Sequence, residues 1–105
     1  MKRDVFQALA DPTRRAIIAL LATQALTPNT IAENFDVTRQ AISKHLRVLK
    51  ECELVKQELR GREIYYLLQI NKMKEIDHYL EKVRSIWEGR YNQLDKLLNQ
   101  LKTNK

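Results

Sequence analysis

The spacing of apolar residues predicts four short helices in the first half of the chain. Apolar side chains recur every three or four residues in segments 3–10, 12–21, 28–35 and 38–51, as they do on one face of an α-helix. A capping side chain stands before segments 12–21 and 28–35 and at the first position of segment 38–51, where it can accept a hydrogen bond from a first-turn N–H. These caps are Asp11 before Pro12, Thr27 before Pro28, and Thr38.

Segment 38–51 predicts a helix with two chemically different faces. At about 100° of rotation per residue, its apolar residues fall on one side and can pack against a core. The opposite side carries donors suited to base edges and phosphates. We call this side the polar arc; it consists of Arg39, Gln40, Ser43, Lys44, Arg47 and Lys50. A surface helix with a solvated basic face has the same pattern, so the neighbouring segments decide between the two interpretations.

The segment before this helix has the spacing of a helix-turn-helix. Only Asp36 and Val37 separate segment 28–35 from the cap of the next helix, and the small Ala32 lets two helices cross closely. In that motif the second helix enters the DNA major groove with its N-terminal half. The pattern therefore favours the polar arc as a surface that reads nucleic acid.

Segments 54–59 and 63–68 predict a β-hairpin directly after this helix. The first alternates in polarity, and the second is rich in β-branched and aromatic residues. Gly61 can take the positive φ of the turn. Arg60 and Arg62 flank it, either protecting a sheet edge by charge or contacting phosphates or a narrow minor groove. A hairpin that follows a helix-turn-helix is a wing, which favours the second interpretation.

Apolar residues at steps of three and four predict one long last helix, capped by Asn71 and extending from Lys72 to about Lys102. The spacing is similar to that of a coiled coil. A lone helix of this length would leave its apolar side in water. We therefore expect it to fold back on the body and, above all, to pair with a second copy. The apolar stripe consists of Met73, Ile76, Leu80, Val83, Trp87, Leu94, Leu97 and Leu101, with Arg90 interrupting it and Leu98 widening it.

Composition and charge narrow the class of protein. With 105 residues, two glycines and two prolines, the chain fits one mostly helical domain, 1–105. Its net charge is +6, and residues 38–62 contain seven basic and three acidic side chains. Such clustering is typical of proteins that bind polyanions. No apolar run is as long as a membrane span, and no signal-peptide core follows Met1, so we expect a cytoplasmic protein with no membrane partner.

Few residues suggest other chemistry. No nucleophile–base set or phosphate-binding loop is visible, so we expect neither an enzyme nor a cofactor. Two histidines and one cysteine argue against a metal site within one chain. We expect His45 to be buried or bonded to backbone, and His78 to lie on a helix surface. Cys52 is either a partly buried residue at a helix end or a thiol switch. Arg14 and Arg15 are either solvated or in contact with phosphate.

This order of elements resembles the ArsR/SmtB-type winged-helix repressors of bacteria. The resemblance covers about residues 4–70 and is carried by residues 6–15, 31–32, 41–49, 54–55 and 60–66. Residues 87–97 resemble the last helix of a branch of that family without the usual metal-sensing sites. The Cys-x-Cys pair that many members carry before the recognition helix has no counterpart in residues 29–35.

The resemblance implies a homodimer that binds a palindromic operator in double-stranded DNA and blocks transcription. It implies a DNA-binding core, 4–70, followed by a dimerisation helix, 71–103, and assigns no effector. The DNA-binding residues would be Thr38, Arg39, Gln40, Ser43, Lys44, Arg47, Arg60 and Arg62. The dimerisation residues would be Phe6, Ile76, Leu80, Val83, Trp87, Leu94 and Leu98. A winged helix can also serve as a protein-interaction module, which would have no need of the polar arc.

Overall fold

The computed structural model describes residues 4–103. Within this range the chain forms five α-helices and one antiparallel hairpin. In chain order these are α1 (Val5–Leu9), α2 (Pro12–Leu21), α3 (Pro28–Phe35), α4 (Arg39–Glu51), β1 (Val55–Arg60), β2 (Glu63–Leu68) and α5 (Ile70–Thr103). The predicted class, a mainly α winged helix-turn-helix with a small hairpin and a long C-terminal helix, is confirmed. Arg3, where the first helix was predicted to begin, lies outside the described residues.

The chain divides into two compact units between Met73 and Lys74. The first unit contains the core. Its fully buried large side chains come from three helices and from the start of the hairpin, and they are Ile17, Ile31, Ile42, Leu46, Leu49, Leu54 and Val55. Removing a side chain of this size from water stabilises a fold by about 1.5–3 kcal/mol. This packing therefore holds α4 from its inner side.

Three helices begin at the predicted caps. The side chain of Asp11 accepts from the amide of Arg14 at 2.9 Å, and Thr38 accepts from the amide of Ala41 at 3.1 Å. Thr27 does the same for α3 at 3.3 Å. Between α3 and α4, Asp36 adopts the left-handed conformation with φ of 49°, which ends α3 and turns the chain into the next helix. The start of α4 follows directly from this local chemistry.

The hairpin is closed by a two-residue turn. Arg60 pairs with Glu63 in the β1–β2 register, so the turn consists of Gly61 and Arg62. Gly61 has φ of +63°, the left-handed region in which a residue without Cβ is not strained. A bridge between Leu26 and Tyr66 attaches β2 to the segment before α3. The wing is thus fixed to the core at its base.

The helix α5 begins earlier than predicted, and the expectation that Asn71 caps it is wrong. Both backbone polar groups of Gln69 are hydrogen-bonded. Its amide donates to the carbonyl of Leu54, and its own carbonyl accepts from the amide of Met73 at 3.0 Å, which is the first hydrogen bond of the helix. Because β2 leads directly into the helix, no linker remains in which Asn71 could act as a cap. No residue of α5 is buried in the described chain.

Candidate DNA-binding surface

Helix α4 presents its polar residues to solvent and its apolar residues to the core. Ile42, Leu46 and Leu49 are completely buried. The candidate residues on the opposite side are all exposed, namely Thr38, Arg39, Gln40, Ser43, Lys44 and Arg47. The packing of one face therefore holds the other face outward in a fixed orientation.

Most cations of the polar arc are free of protein partners. Within residues 4–103, neither a hydrogen bond nor an ion pair engages the side chains of Arg39, Lys44 or Arg47. Lys50 differs, because its ammonium group donates to the side-chain oxygen of Gln57 at 2.9 Å. The N-terminal half of α4 and Arg47 thus carry positive charge that nothing in the described chain neutralises.

The two arginines of the wing lie on opposite faces of the hairpin. Arg60 donates to Glu58 at 3.1 Å, and its guanidinium lies 4.7 Å from the centre of the Tyr65 ring. Arg62 has no partner in the part of the chain that is described, and it lines a cleft beside α4. Arg60 lies on the strand face of Tyr65, whereas Arg62 lies in the turn and lines the cleft with Ile64 and Tyr66, whose side chains belong to the other face. The two arginines, for which the sequence predicts the same role, are therefore not equivalent.

The cleft beside α4 brings three parts of the first unit together. It has a volume of about 320 Å³. The N-terminal turn of α3, the outer face of α4 and the wing contribute its lining, which consists of Thr27, Pro28, Asn29, Arg39, Ser43, Arg62, Glu63, Ile64 and Tyr66. Three of the predicted DNA-binding residues, Arg39, Ser43 and Arg62, therefore meet at one place.

Two consecutive side-chain hydrogen bonds that were not predicted from the sequence connect the end of α4 to the wing. Lys50 donates to Gln57, and the amide nitrogen of Gln57 donates to the hydroxyl of Tyr66 at 2.7 Å. Gln57 and Tyr66 face each other across the two strands. Such directly opposed pairs could be identified from the sequence once the register is known. Only the Lys50–Gln57 bond joins the helix to the wing, and the Gln57–Tyr66 bond joins the two strands of the wing.

Arg14 and Arg15 cap the carboxyl end of α1, which neither alternative in the sequence analysis foresaw. The guanidinium of Arg14 donates to the carbonyl of Ala8 at 2.6 Å, and that of Arg15 donates to the carbonyl of Leu9 at 2.7 Å. Cations at a helix C-terminus interact favourably with its dipole and its unpaired carbonyls. The signal in the sequence was their position just after the Asp11 corner, where they can reach back.

Arg14 also connects this corner to α4. One of its terminal nitrogens lies 3.4 Å from Nδ1 of His45. The carboxylate of Asp11 lies 3.9 Å from the same atom. The prediction that His45 is buried or bonded to backbone is wrong, because its side chain is half-buried and its partners are side chains.

The pKa of Asp11 is lowered by these contacts. The amide N–H of Arg14, which donates to the carboxylate, is the largest cause, and the charges of His45 and Arg14 act in the same direction. The carboxylate therefore stays ionised at the start of α2, where it also interacts favourably with the helix dipole.

The predicted dimerisation residues present apolar surface. Leu80 and Trp87 are each 52% exposed, and Leu94 and Leu98 are also about half exposed. Ile76 and Val83 are half-buried. In the first unit, Phe6 is 44% exposed.

Other candidate chemistry is not assembled in the described residues. No group of three or more histidine, cysteine or acidic side chains is placed to hold a metal ion within residues 4–103. His78 is exposed on α5, and Cys52 is buried at the end of α4, where its thiol lies 3.8 Å from the carbonyl of Asp4. The helices that are described lack the combination of length and apolarity needed to cross a membrane.

Comparison with known proteins agrees with this geometry. A helix-turn-helix domain family matches residues 9–58. The transcriptional repressor SdpR of Bacillus subtilis is 39% identical over 72 residues, which cover 69% of this chain and 80% of that protein. An ArsR-like transcriptional regulator from Rhodococcus sp. RHA1 superimposes with a TM-score of 0.73 at 33% identity, covering 89% of this chain and 88% of its own.

A homodimeric winged helix-turn-helix DNA-binding domain, Mb0332 from Mycobacterium bovis, has a TM-score of 0.65 at 26% identity, covering 77% of this chain and 75% of its own. The fold and these similarities define a winged helix-turn-helix regulator. The chain belongs to the ArsR/SmtB family of such regulators. The family expected from the sequence motifs is confirmed, as is the expectation of a regulator rather than an enzyme, because the relatives are transcriptional regulators.

Proposed function

We propose that this protein is a homodimeric, sequence-specific DNA-binding repressor with a palindromic operator. The chain acts as one functional domain, with residues 4–70 binding DNA and residues 71–103 joining two copies. Helix α4 enters the major groove, and the wing contacts the backbone or the minor groove. A cytoplasmic location is part of the proposal, because its partner is DNA.

The observation that carries the proposal is the exposed polar arc, three of whose four cations have no partner within residues 4–103, above a completely buried apolar face. Desolvating Ile42, Leu46 and Leu49 holds α4 in place, and Arg39 and Arg47 remain without protein partners in the described chain. The same helix follows a helix-turn-helix spacing and precedes a wing, which favours DNA contact over a solvated surface helix. Arginine and glutamine there are suited to purine edges in a major groove.

The apolar surface of α5 supports the proposed dimer. Trp87, Leu94 and Leu98 are about half exposed on a helix without a buried residue. An exposed apolar surface of this length, with coiled-coil-like spacing, is stabilised when a second copy covers it. The relative Mb0332 is a homodimer, which supports the same assembly here. Two copies would present α4 twice, as a palindromic site requires.

The test is a footprint on the DNA upstream of the protein's own gene. A dimer of this type should protect two symmetric half-sites whose centres are about 34–36 Å apart, which is one turn of the duplex. A duplex with scrambled half-sites at the same salt concentration is the control. Equal affinity for both duplexes would contradict sequence-specific binding, and no affinity for either would favour a protein-interaction module.

A further inference from the structure

The cleft between α3, α4 and the wing contains more hydrogen-bond donors than its protein neighbours use. Arg39 and Arg62 reach it from two different elements, and neither has a partner in the described residues. The hydroxyl of Ser43 is equally unengaged. The Tyr66 hydroxyl accepts from Gln57, which leaves its own hydrogen available to donate. The cleft thus offers two guanidinium groups and two hydroxyls to one ligand.

The first turn of α3 adds a backbone donor to the same cleft. Pro28 has no N–H, and the amides of Thr30 and Ile31 are occupied by the side chain and the carbonyl of Thr27. The amide of Asn29 is therefore the remaining donor of that turn, and no acceptor within residues 4–103 engages it. A helix N-terminus also carries partial positive charge. It reinforces the charge of the two arginines.

The acidic and apolar residues that line the cleft restrict the chemical class of its ligand further. The only carboxylate of the lining, Glu63, accepts from the hydroxyl of Tyr65 at 3.3 Å. Pro28, the half-exposed Ile64 and the ring of Tyr66 form an apolar side. The volume of about 320 Å³ reaches the range of small-ligand pockets, roughly 300–1,000 Å³. A bare oxyanion would satisfy the donors but leave this side uncovered.

We propose that the cleft binds a sugar phosphate, with the phosphate between Arg39 and Arg62 and the sugar against Pro28 and Ile64. Two sources present this chemistry: the DNA backbone, in which case the inference rests on the proposed function, and a free sugar phosphate. Arg39 and Ser43 belong to both this cleft and the polar arc. A free ligand therefore excludes DNA from the same place and releases the operator by competition.

The first arm of the test needs no DNA. Deoxyribose 5-phosphate is titrated into the full-length, ¹⁵N-labelled protein, with deoxyribose as the uncharged control. We expect saturable shifts of the Asn29 amide and of the Arg39 and Arg62 side-chain N–H signals with the phosphate only. Arg62→Gln should weaken binding about tenfold, because one charge-assisted hydrogen-bond donor is lost.

Lys56→Gln is the matched control, because it removes the same charge from the face of the wing opposite the cleft. It should leave the affinity for deoxyribose 5-phosphate unchanged. A loss equal to that of Arg62→Gln would overturn the site, since general attraction to positive charge would then explain the binding.

The second arm uses the duplex identified by the footprint, carrying one uncharged methylphosphonate at successive backbone positions. We expect one position per half-site at which the substitution weakens binding by the wild type about tenfold but has little further effect on Arg62→Gln. Saturable shifts in the first arm support the sugar phosphate site and show that it can bind a free sugar phosphate. Coupling in the second arm without shifts in the first supports the site with the DNA backbone as its ligand.

The absence of both signals overturns the inference. Saturable shifts in the first arm, together with a protein that binds no duplex, would overturn the proposed function and leave the cleft as a sugar phosphate site. The two failures are therefore distinguishable.

Discussion

Helices α4 and α5 are both amphipathic, but only α4 has its apolar face covered within the described chain. Ile42, Leu46 and Leu49 of α4 are completely buried, whereas α5 contains no buried residue, and its Trp87 and Leu94 are about half exposed. The same amphipathic pattern therefore serves two different purposes in the two helices. An apolar face covered by the same chain orients the polar face behind it. An uncovered apolar face of similar spacing is surface for a partner, which we propose is a second copy.

The largest effect is expected from Leu46→Ala, which tests the covered face. Removing this side chain should lower the free energy of unfolding by about 2–5 kcal/mol, because transfer energy is lost and a cavity is left. Urea denaturation at fixed protein concentration measures it. Leu46→Met, which conserves volume, should cost less than about 1.5 kcal/mol. A loss below that limit for the alanine variant would contradict the burial of this face.

Leu94→Asp tests the uncovered face. We expect the dimer to dissociate at concentrations at which the wild type stays associated, with the dissociation constant raised by a factor of about 30 or more, as for a residue central to an interface. Sedimentation equilibrium measures the mass, and circular dichroism checks that the core stays folded. Gln93→Asp adds the same charge beside the stripe and should leave the mass of the dimer unchanged. A monomeric wild type would contradict the assembly.

Arg47→Ala tests the polar face that the covered helix holds outward. If Arg47 contacts a base edge, its loss should cost about 1–3 kcal/mol of operator binding and relax the preference at one position. Gln40→Ala should behave in the same way at a different position. Binding to a library of operator variants measures both preferences. Lys82→Ala, on α5, removes the same charge and should keep the preference; equal profiles for all variants would contradict direct readout.

Arg62→Ala and Arg60→Ala test whether only the arginine beside α4 adds a phosphate contact to the polar face of that helix. The slope of log affinity against log salt should fall by about 0.9 for each phosphate contact that is lost. Arg62 has no partner within residues 4–103 and lies beside α4, whereas Arg60 is paired with Glu58 and packed on Tyr65. We therefore expect the full change for Arg62 and a smaller one for Arg60. The opposite order, in salt titrations of operator binding, would contradict the assignment of faces.

The smallest effects concern how the two helices begin. Thr38→Ala should lower the free energy of unfolding by about 1 kcal/mol, because the cap of α4 is lost, and Thr38→Ser should retain most of it. Asn71→Ala should be neutral or stabilising by up to about 0.7 kcal/mol, because alanine is the better helix former and Asn71 lies inside α5. Thermal denaturation of the three variants measures these effects. A loss at Asn71 equal to that at Thr38 would restore Asn71 as a cap.

Local patterns predicted the parts of the fold that depend on near neighbours. The caps at Asp11, Thr27 and Thr38 lie three residues from the amides that they satisfy, so the sequence contains both partners. The two faces of α4 were predictable for the same reason, because helical periodicity relates residues a few positions apart. Asn71 was misassigned because the start of α5 depends on Gln69, whose amide bonds to Leu54, fifteen positions away in the chain.

The sequence by itself determined the helices, the turn at Gly61, the concentration of positive charge in residues 38–62 and the family, since each rests on local spacing or on motifs. Only the tertiary structure decided that Arg62 joins Arg39 in a cleft while Arg60 is occupied by Glu58 and Tyr65. It also decided that Arg14 approaches His45, which lies 31 positions further along the chain. These contacts depend on strand register and helix packing, which bring distant residues together and which no local pattern encodes.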